Sequence, residues 1–175
     1  SILIKLFTTL NPVKFFHNLK DVVVFTFSTS SSSASIPFTL KAAEEKYGID
    51  KSISTFTVPL GATINMDGTA IMQGCATFFL ASLYGIDLGI NEITTIVITA
   101  TIASIGTAGI PSAGIIMLTV IFTQIGIPLE GITLLLGVDR LLDMMRTSVN
   151  VSGDLCISCV IASSEKKINE KIFES

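Results

Sequence analysis

Long apolar stretches dominate the chain, and each is interrupted near its middle by small or polar residues. The longest run without a charge goes from Ile93 to Leu129. As one straight helix it would be about 55 Å long at 1.5 Å per residue, nearly twice the ~30 Å hydrocarbon core of a bilayer. Gly106-Thr107-Ala108-Gly109-Ile110-Pro111 breaks it at the centre, and such a string does not continue a regular helix. The pattern predicts two half-length helices meeting at a Gly/Pro tip, a re-entrant hairpin. A second hairpin is predicted upstream, where an apolar stretch from about Pro12 runs into Ser28-Thr29-Ser30-Ser31-Ser32-Ser33 and resumes through Ile36-Pro37 to Tyr47. Each hairpin is followed by a longer segment with polar residues at its centre, about Ile53 to Tyr84 and about Leu129 to Ala162.

Hairpin-helix-hairpin-helix reads as an inverted repeat, in which broken elements at matching positions point to a site near the bilayer midplane. The predicted class is an all-α integral membrane protein, organised as the end of a preceding transmembrane helix (1–10), a re-entrant hairpin (11–50), an unwound transmembrane helix (51–86), a second hairpin (91–128), a final transmembrane helix (129–163) and a cytoplasmic tail (164–175). The serine run read as a flexible linker is the alternative at the first tip.

Composition agrees. Charged residues make up 14% of the chain, against roughly 25% in soluble domains, and mean hydropathy is +0.71. A net charge of −3 argues against a nucleic-acid partner. The chain opens on Ser1 inside an apolar stretch without a basic leader, so it is expected to be a fragment whose earlier part lies elsewhere. Cys75, Cys156 and Cys159 form no disulfide framework; the last two read as small packing residues on one helix face. All nine lysines fall near the chain start, at the bases of the first hairpin or in the tail, whereas the loops around Tyr84–Glu92 and Ile127–Gly131 carry neither Lys nor Arg. By the positive-inside rule the first hairpin enters from the cytoplasm, the second from outside, and the C-terminus is cytoplasmic.

A charge at bilayer depth costs at least ~2.5 kcal/mol on insertion scales, so it is usually paired and functional. Asp67, Asp139, Arg140, Asp143, Arg146 and Asp154 fall inside the two long segments. Asp139, Asp143, Arg146, Asn150 and Asp154 step by four, three, four and four, which places them on one helix face. Arg146 has the planar fork that grips a carboxylate, and Asp143 one turn away can accept an ammonium. Asp154 with Asn150, and Asp67 with Asn65, offer hard oxygens to a monovalent cation, with carbonyls at Gly61-Ala62-Thr63 and Ser104-Ile105-Gly106-Thr107 to complete the shells. The competing reading is a set of mutually neutralising structural pairs, with Asp139 the first candidate for that role.

These strings resemble the dicarboxylate/amino acid:cation symporter family, which includes bacterial glutamate and aspartate transporters and neuronal glutamate transporters. Ser31-Ser32-Ser33-Ala34 with Pro37 resembles the serine-rich tip of its first hairpin, Asn65-Met66-Asp67-Gly68-Thr69 its unwound helix, Ser104 to Pro111 its second hairpin tip, and Asp143, Arg146-Thr147, Asn150 and Gly153-Asp154 its last helix. The resemblance covers essentially the whole chain and implies the transport domain of an elevator-type carrier. That domain moves substrate and sodium past a static homotrimeric scaffold outside this chain, gated by the second hairpin. It implies substrate contacts from Ser32, Thr69, Gly114, Asp143, Arg146, Thr147 and Asn150, with the backbone of Ala108, Gly109 and Ile110 closing over. It implies sodium sites at Gly61, Asn65, Asn150 and Asp154; at Thr63, Met66, Ser104, Ile105 and Thr107; and at Asn65 with Asp67. No organic cofactor is implied.

One departure bears on specificity. Members that take acidic substrates usually carry a second arginine, before the serine run or directly after the aspartate of the last helix. Here those positions hold Ser30 and Met144. Arg140, one turn before Met144, is the candidate substitute. The expected function is sodium-coupled symport of glutamate, aspartate or a dicarboxylate by a multi-pass protein of the plasma (inner) membrane, not an enzyme. Proton-coupled transport of glutamate or a C4-dicarboxylate is the nearest alternative, and an intramembrane aspartyl protease using Asp67 and Asp154 the remote one.

Overall fold

The computed structural model describes residues 2–174. Among them every regular element is helical: α1 (Ile2–Phe7), α2 (Pro12–Asn18), α3 (Lys20–Thr29), α4 (Ser32–Glu45), α5 (Lys51–Ile64), α6 (Asp67–Leu83), α7 (Ile90–Ile105), α8 (Ala113–Ile125), a 3-10 turn (Leu129–Gly131), α9 (Ile132–Ser164) and α10 (Glu170–Glu174). The only bridge outside helices in that range joins Ile49 to Ile168, antiparallel.

The chain breaks where local chemistry demands it. α3 ends at Ser30, which takes a left-handed conformation (φ 52°), and Ser31 caps α4 by accepting a hydrogen bond from the amide of Ala34 at 3.1 Å. The reversal therefore takes two residues. α5 ends at Asn65 (φ −95°, ψ 75°) and Met66 (φ −106°, ψ 48°), both off the helix. The unwound stretch is thus confined to those two residues, and Asp67-Gly68-Thr69 forms the first turn of α6. α7 and α8 are separated by 106–112, with Ser112 left-handed at φ 60°. By length, α5 and α6 reach about 21 and 26 Å, each short of the ~30 Å core, while α9 carries charges along its length. Among the described residues no helix is long and apolar enough to cross a membrane.

Packing forms two separate apolar clusters. The first joins α1, α2, α3, α4, α5 and the second half of α9, through Phe15, Val22, Tyr47, Val58, Val151, Leu155 and Cys159. The second joins α6, α7, α8 and the start of α9, through Leu80, Ile96, Leu118, Phe122 and Leu135. α9 runs through both. Between Leu135 and Val151 its inward residues are polar: Asp139, Asp143, Arg146, Thr147, Ser148 and Asn150 are all buried. Small hydroxyls knit the helices together, Thr57 sharing a hydrogen bond with Ser158 (2.7 Å) and Thr26 with Ser148 (3.2 Å), a packing mode suited to an apolar solvent. The three cysteines are free.

Sequence pattern understated two regions. The expected first arm of the upstream hairpin is two helices, α2 and α3, meeting at Leu19. The stretch read as a tail folds back as a bridge and a short helix whose Phe173 is fully buried.

Candidate functional site

Four elements close on one small crevice of 10 Å³, lined by Ser30 and Ser32 of the first tip, Met66 and Thr69 at the α5–α6 break, Thr107 to Ile110 of the second tip, and Asp143, Arg146, Thr147 and Asn150 of α9. The space holds about one water. Nine of the ten residues expected at a substrate site line it. The tenth, Gly114, touches the site from behind: a Cβ there would lie 1.7 Å from Arg146 Nη1.

The two tips meet directly. The amide of Ser33 and the hydroxyl of Ser31 both donate to the carbonyl of Gly109, at 3.0 and 2.7 Å. From the other side, the Ser112 amide donates to Asp143 Oδ2 at 2.7 Å. Asp143 Oδ1 pairs with the Arg146 guanidinium one turn along α9. Arg146 is 5% exposed, and its second terminal nitrogen, Nη1, is buried without a hydrogen-bond partner among the described residues. An unpaired guanidinium nitrogen at such depth is costly, and it is the feature that gives the crevice its chemistry. The Ser30 hydroxyl, also lining the crevice, is buried and unpartnered as well.

Asn150 organises the start of α6. No side chain of its own caps that helix, so its first amides need acceptors. Asn150 Oδ1 accepts from the amides of Gly68 (2.7 Å) and Thr69 (3.3 Å), and Asn150 Nδ2 donates to the Met66 sulfur and Thr69 Oγ1, both at 3.2 Å. Gly68 permits this approach: a Cβ would sit 2.5 Å from the Arg146 carbonyl oxygen.

Of the three expected cation-binding sets, the first is assembled. Asn65 Nδ2 donates to Asp154 Oδ1 (2.8 Å) and to the Asn150 carbonyl (3.3 Å), and a Cβ on Gly61 would meet Asp154 Oδ1 at 2.5 Å. The Asp154 carboxylate and the Asn150 carbonyl are oxygens of the kind that a hard cation takes, and here the Asn65 amide nitrogen lies against them. Asn65 and Asp67 also converge on Gly153, whose Cβ would lie 2.6 Å from Asn65 Nδ2 and 3.2 Å from Asp67 Oδ2. The remaining set is less gathered. Met66 and Thr107 line the crevice, but Ser104 and Thr107 donate within α7, to Thr101 and Ala103 carbonyls. Thr63 is exposed and donates to the Pro59 carbonyl, and Ile105 is exposed.

Two residues fall outside the site. Arg140, one turn before Asp143, is exposed and does not line the crevice. Asp139 is buried, but no ion pair forms to it among the described residues. Asp67 is exposed, and Asp154 accepts from Asn65.

Sequence reasoning passed over Gln73. It is fully buried, and its Nε2 donates to the Gly114 carbonyl at 3.2 Å, against the crevice wall. Thr69, Gln73 and Thr77, four residues apart and all buried, form a polar line inside apolar α6, a periodic signal of the kind that revealed the α9 stripe. A larger groove of 500 Å³ along α6 and α9, lined by Ile71, Cys75, Phe79, Leu142 and Met145 among others, is apolar apart from Arg146, which it shares with the crevice.

A family model described as "Sodium:dicarboxylate symporter family" matches residues 1–164. The chain is 45% identical over 162 residues to excitatory amino acid transporter 3 of Mus musculus, covering 93% of this chain and 31% of that protein. It is 48% identical over 149 residues to excitatory amino acid transporter 1 of Rattus norvegicus, covering 85% and 27%. To excitatory amino acid transporter 4 of Mus musculus it is 44% identical over 156 residues, covering 89% and 28%. The chain therefore spans about a third of the length of these relatives.

Proposed function

Because the chain belongs to the sodium:dicarboxylate symporter family, we propose that it is the substrate- and cation-binding part of a sodium-coupled carrier for an acidic amino acid or dicarboxylate. The observation that carries this reading is Arg146, buried on the crevice beside Asp143 with its Nη1 left without a hydrogen-bond partner among the described residues. A guanidinium with one face on Asp143 and one free nitrogen is complementary to a side-chain carboxylate, and Asp143 to an α-ammonium. Ser32, Thr69, Thr147 and Asn150 supply the shorter polar contacts, with the backbone of Ala108, Gly109 and Ile110 as a cover. The relatives' names, excitatory amino acid transporters, support the acidic class.

The two helix pairs, α3–α4 and α7–α8, act as re-entrant hairpins of an inverted repeat, reaching the site from opposite faces of the bilayer. The lysine-rich end, where both hairpin 1 and the segment after α9 have their bases, is cytoplasmic. The 10 Å³ crevice is far below the ~300 Å³ of a usual ligand pocket. Ligand entry therefore requires the second tip to withdraw, breaking the Ser112–Asp143 and Gly109–Ser31 contacts. The loaded domain then moves as an elevator against a homotrimeric scaffold supplied by the remainder of the protein. No residue is assigned a catalytic role.

Sodium, when bound, would supply a positive charge opposite the carboxylate oxygens of this region. Gly61, Asn65, Asn150 and Asp154 are the residues that hold it most directly. A methyl at Gly61 would intrude to 2.5 Å from Asp154 Oδ1, an overpacking of about 1–3 kcal/mol. Gly61→Ala is expected to raise the sodium concentration needed for half-maximal acid binding by about tenfold or more. The acid affinity at saturating sodium should stay near wild type. A sodium titration followed by calorimetry reads both, and an unchanged sodium midpoint would remove Gly61 and Asp154 from the cation site.

The general test is calorimetric binding of aspartate and glutamate to the full-length protein in sodium and in choline. Binding confined to sodium is the expected result. Equal binding in choline would favour proton coupling, and binding of neither acid would reject the acidic class.

A further inference from the structure

The two hairpins are joined to their following helices by glycines in the left-handed region, and these joints differ. Gly48 (φ +66°) links α4 to α5, and Gly126 (φ +82°) links α8 to the 3-10 turn before α9; Gly85 (φ +66°) lies between α6 and α7. A Cβ on Gly126 or on Gly85 would meet nothing within 4 Å. A Cβ on Gly48 would lie 2.3 Å from the carbonyl oxygen of Asn169. The space around the joints at Gly126 and Gly85 is thus open, whereas Gly48, at the joint of the first hairpin, is covered by the segment that follows α9.

That cover is hydrogen-bonded on both sides of the joint. Asn169 N donates to the Gly48 carbonyl at 2.7 Å, and Asp50 N donates to the Lys167 carbonyl at 3.0 Å, flanking the Ile49–Ile168 bridge. The Lys167 ammonium donates to Ser52 Oγ at 2.9 Å, reaching the first turn of α5. Asn18, at the end of α2, donates through its Nδ2 to the carbonyls of Lys46 (3.0 Å) and Phe173 (3.1 Å), so one amide holds both the end of α4 and the covering segment. Thr9 reaches Glu170. The anchor is Phe173, fully buried beside Tyr47 (ring centroids 6.1 Å apart), which packs in turn on Phe15 at 5.2 Å.

We propose that residues 166–174 are a latch over the Gly48 hinge, which fixes the first hairpin to α5 and α9 and so leaves all gating to the second hairpin. Rotation of α3–α4 about Gly48 would have to break the paired Gly48/Asn169 and Lys167/Asp50 hydrogen bonds and withdraw Phe173 from the core together. Without the latch the first hairpin becomes a second gate, opening the site on the lysine-rich side out of step with the first. The proposal rests on the reading of α3–α4 and α7–α8 as the hairpins bordering the site, but not on the identity of the ligand or ion.

The test is hydrogen exchange of the full-length protein in nanodiscs without ligand, comparing wild type with Phe173→Ala and with Phe173→Leu, the milder change. Local opening appears as faster exchange of the amides it uncovers. The expected result is exchange about tenfold faster or more in Ser30–Thr39, with α7 and α8 unchanged, and a smaller effect of the same pattern for Phe173→Leu. Acceleration spread equally over both hairpins would mean that the segment only contributes general stability, and no acceleration in α3–α4 would mean that the hinge is held by other contacts; either overturns the latch. If Phe173→Ala does not fold, the Phe173→Leu pattern decides on the same criteria. The readout needs no transport and no ligand, so its failure is separate from any failure of the acidic-substrate reading.

Discussion

Arg146→Ala should abolish measurable binding of aspartate and glutamate, with a loss of at least about a hundredfold. The guanidinium is 5% exposed and pairs with Asp143, itself 1% exposed. Truncating one member of a buried hydrogen-bonded charge pair costs about 2–5 kcal/mol or more, and about 2.7 kcal/mol is already a factor of a hundred in affinity. Part of that cost falls on the fold, because Asp143 would keep the Ser112 amide (2.7 Å) while losing its countercharge. The double variant Arg146→Ala with Asp143→Asn separates the two effects. It should regain thermal stability relative to the single variant without regaining acid binding. Calorimetry in sodium buffer and a melting curve together make the measurement. Acid affinity within a few-fold of wild type in the single variant would show that Nη1 does not face the ligand carboxylate. Arg146→Lys is expected to fall between, since an ammonium keeps the charge but not the fork.

Gly114→Ala is expected to have an effect of comparable size by a different route. Gly114 lies in the first turn of α8, so alanine gains less there than the ~1 kcal/mol of a helix interior. The added methyl, however, would lie 1.7 Å from Arg146 Nη1 and 2.7 Å from its Cζ. One of the two must move, and the guanidinium is already fixed by Asp143 on its other side. The displaced fork is expected to weaken acid binding by about 10–100-fold, the range of 1–3 kcal/mol of overpacking. Gln73 Nε2 holds the Gly114 carbonyl at 3.2 Å, which limits how far α8 can retreat. Binding unchanged in Gly114→Ala would mean that α8 stands clear of Arg146 in the ligand-bound form. A protein that loses the acid while its melting temperature stays level or falls is the expected outcome.

Much of this architecture is legible in the sequence because its breaks are chemical. Gly106 to Pro111, Ser30-Ser31 and Asn65-Met66 are strings that helices do not continue, and the structure interrupts its helices at each. The α9 stripe could be read because a long regular helix converts spacing into a face, so Asp143, Arg146 and Asn150 fall together on the crevice. What spacing does not encode is which groups satisfy one another. That Asp143 takes the Ser112 amide, or that Asn150 caps α6, depends on where distant elements pack. That Arg140 stays exposed although it lies one turn from buried Asp143 is likewise set by packing that spacing does not carry. The segment after α9 carried no periodic signal, since Lys166-Lys167-Ile168-Asn169 is short and mixed, and its fold depends on Gly48 and Tyr47 more than a hundred residues earlier. Gln73 was missed although its four-residue spacing from Thr69 and Thr77 was available.

The division of the apolar interior into two clusters, with the polar layer of α9 between them, has a practical consequence for engineering. Side chains such as Phe122 and Leu118 in one cluster, or Leu10 and Leu19 in the other, lie outside the lining of the crevice and away from the cation set. Distant sites of this kind combine nearly additively. Cavity-filling or helix-favouring substitutions, each commonly worth about 0.5–2 kcal/mol, can therefore be accumulated in either cluster as a thermostability programme, while the residues from Asp143 to Asn150 are varied separately for selectivity.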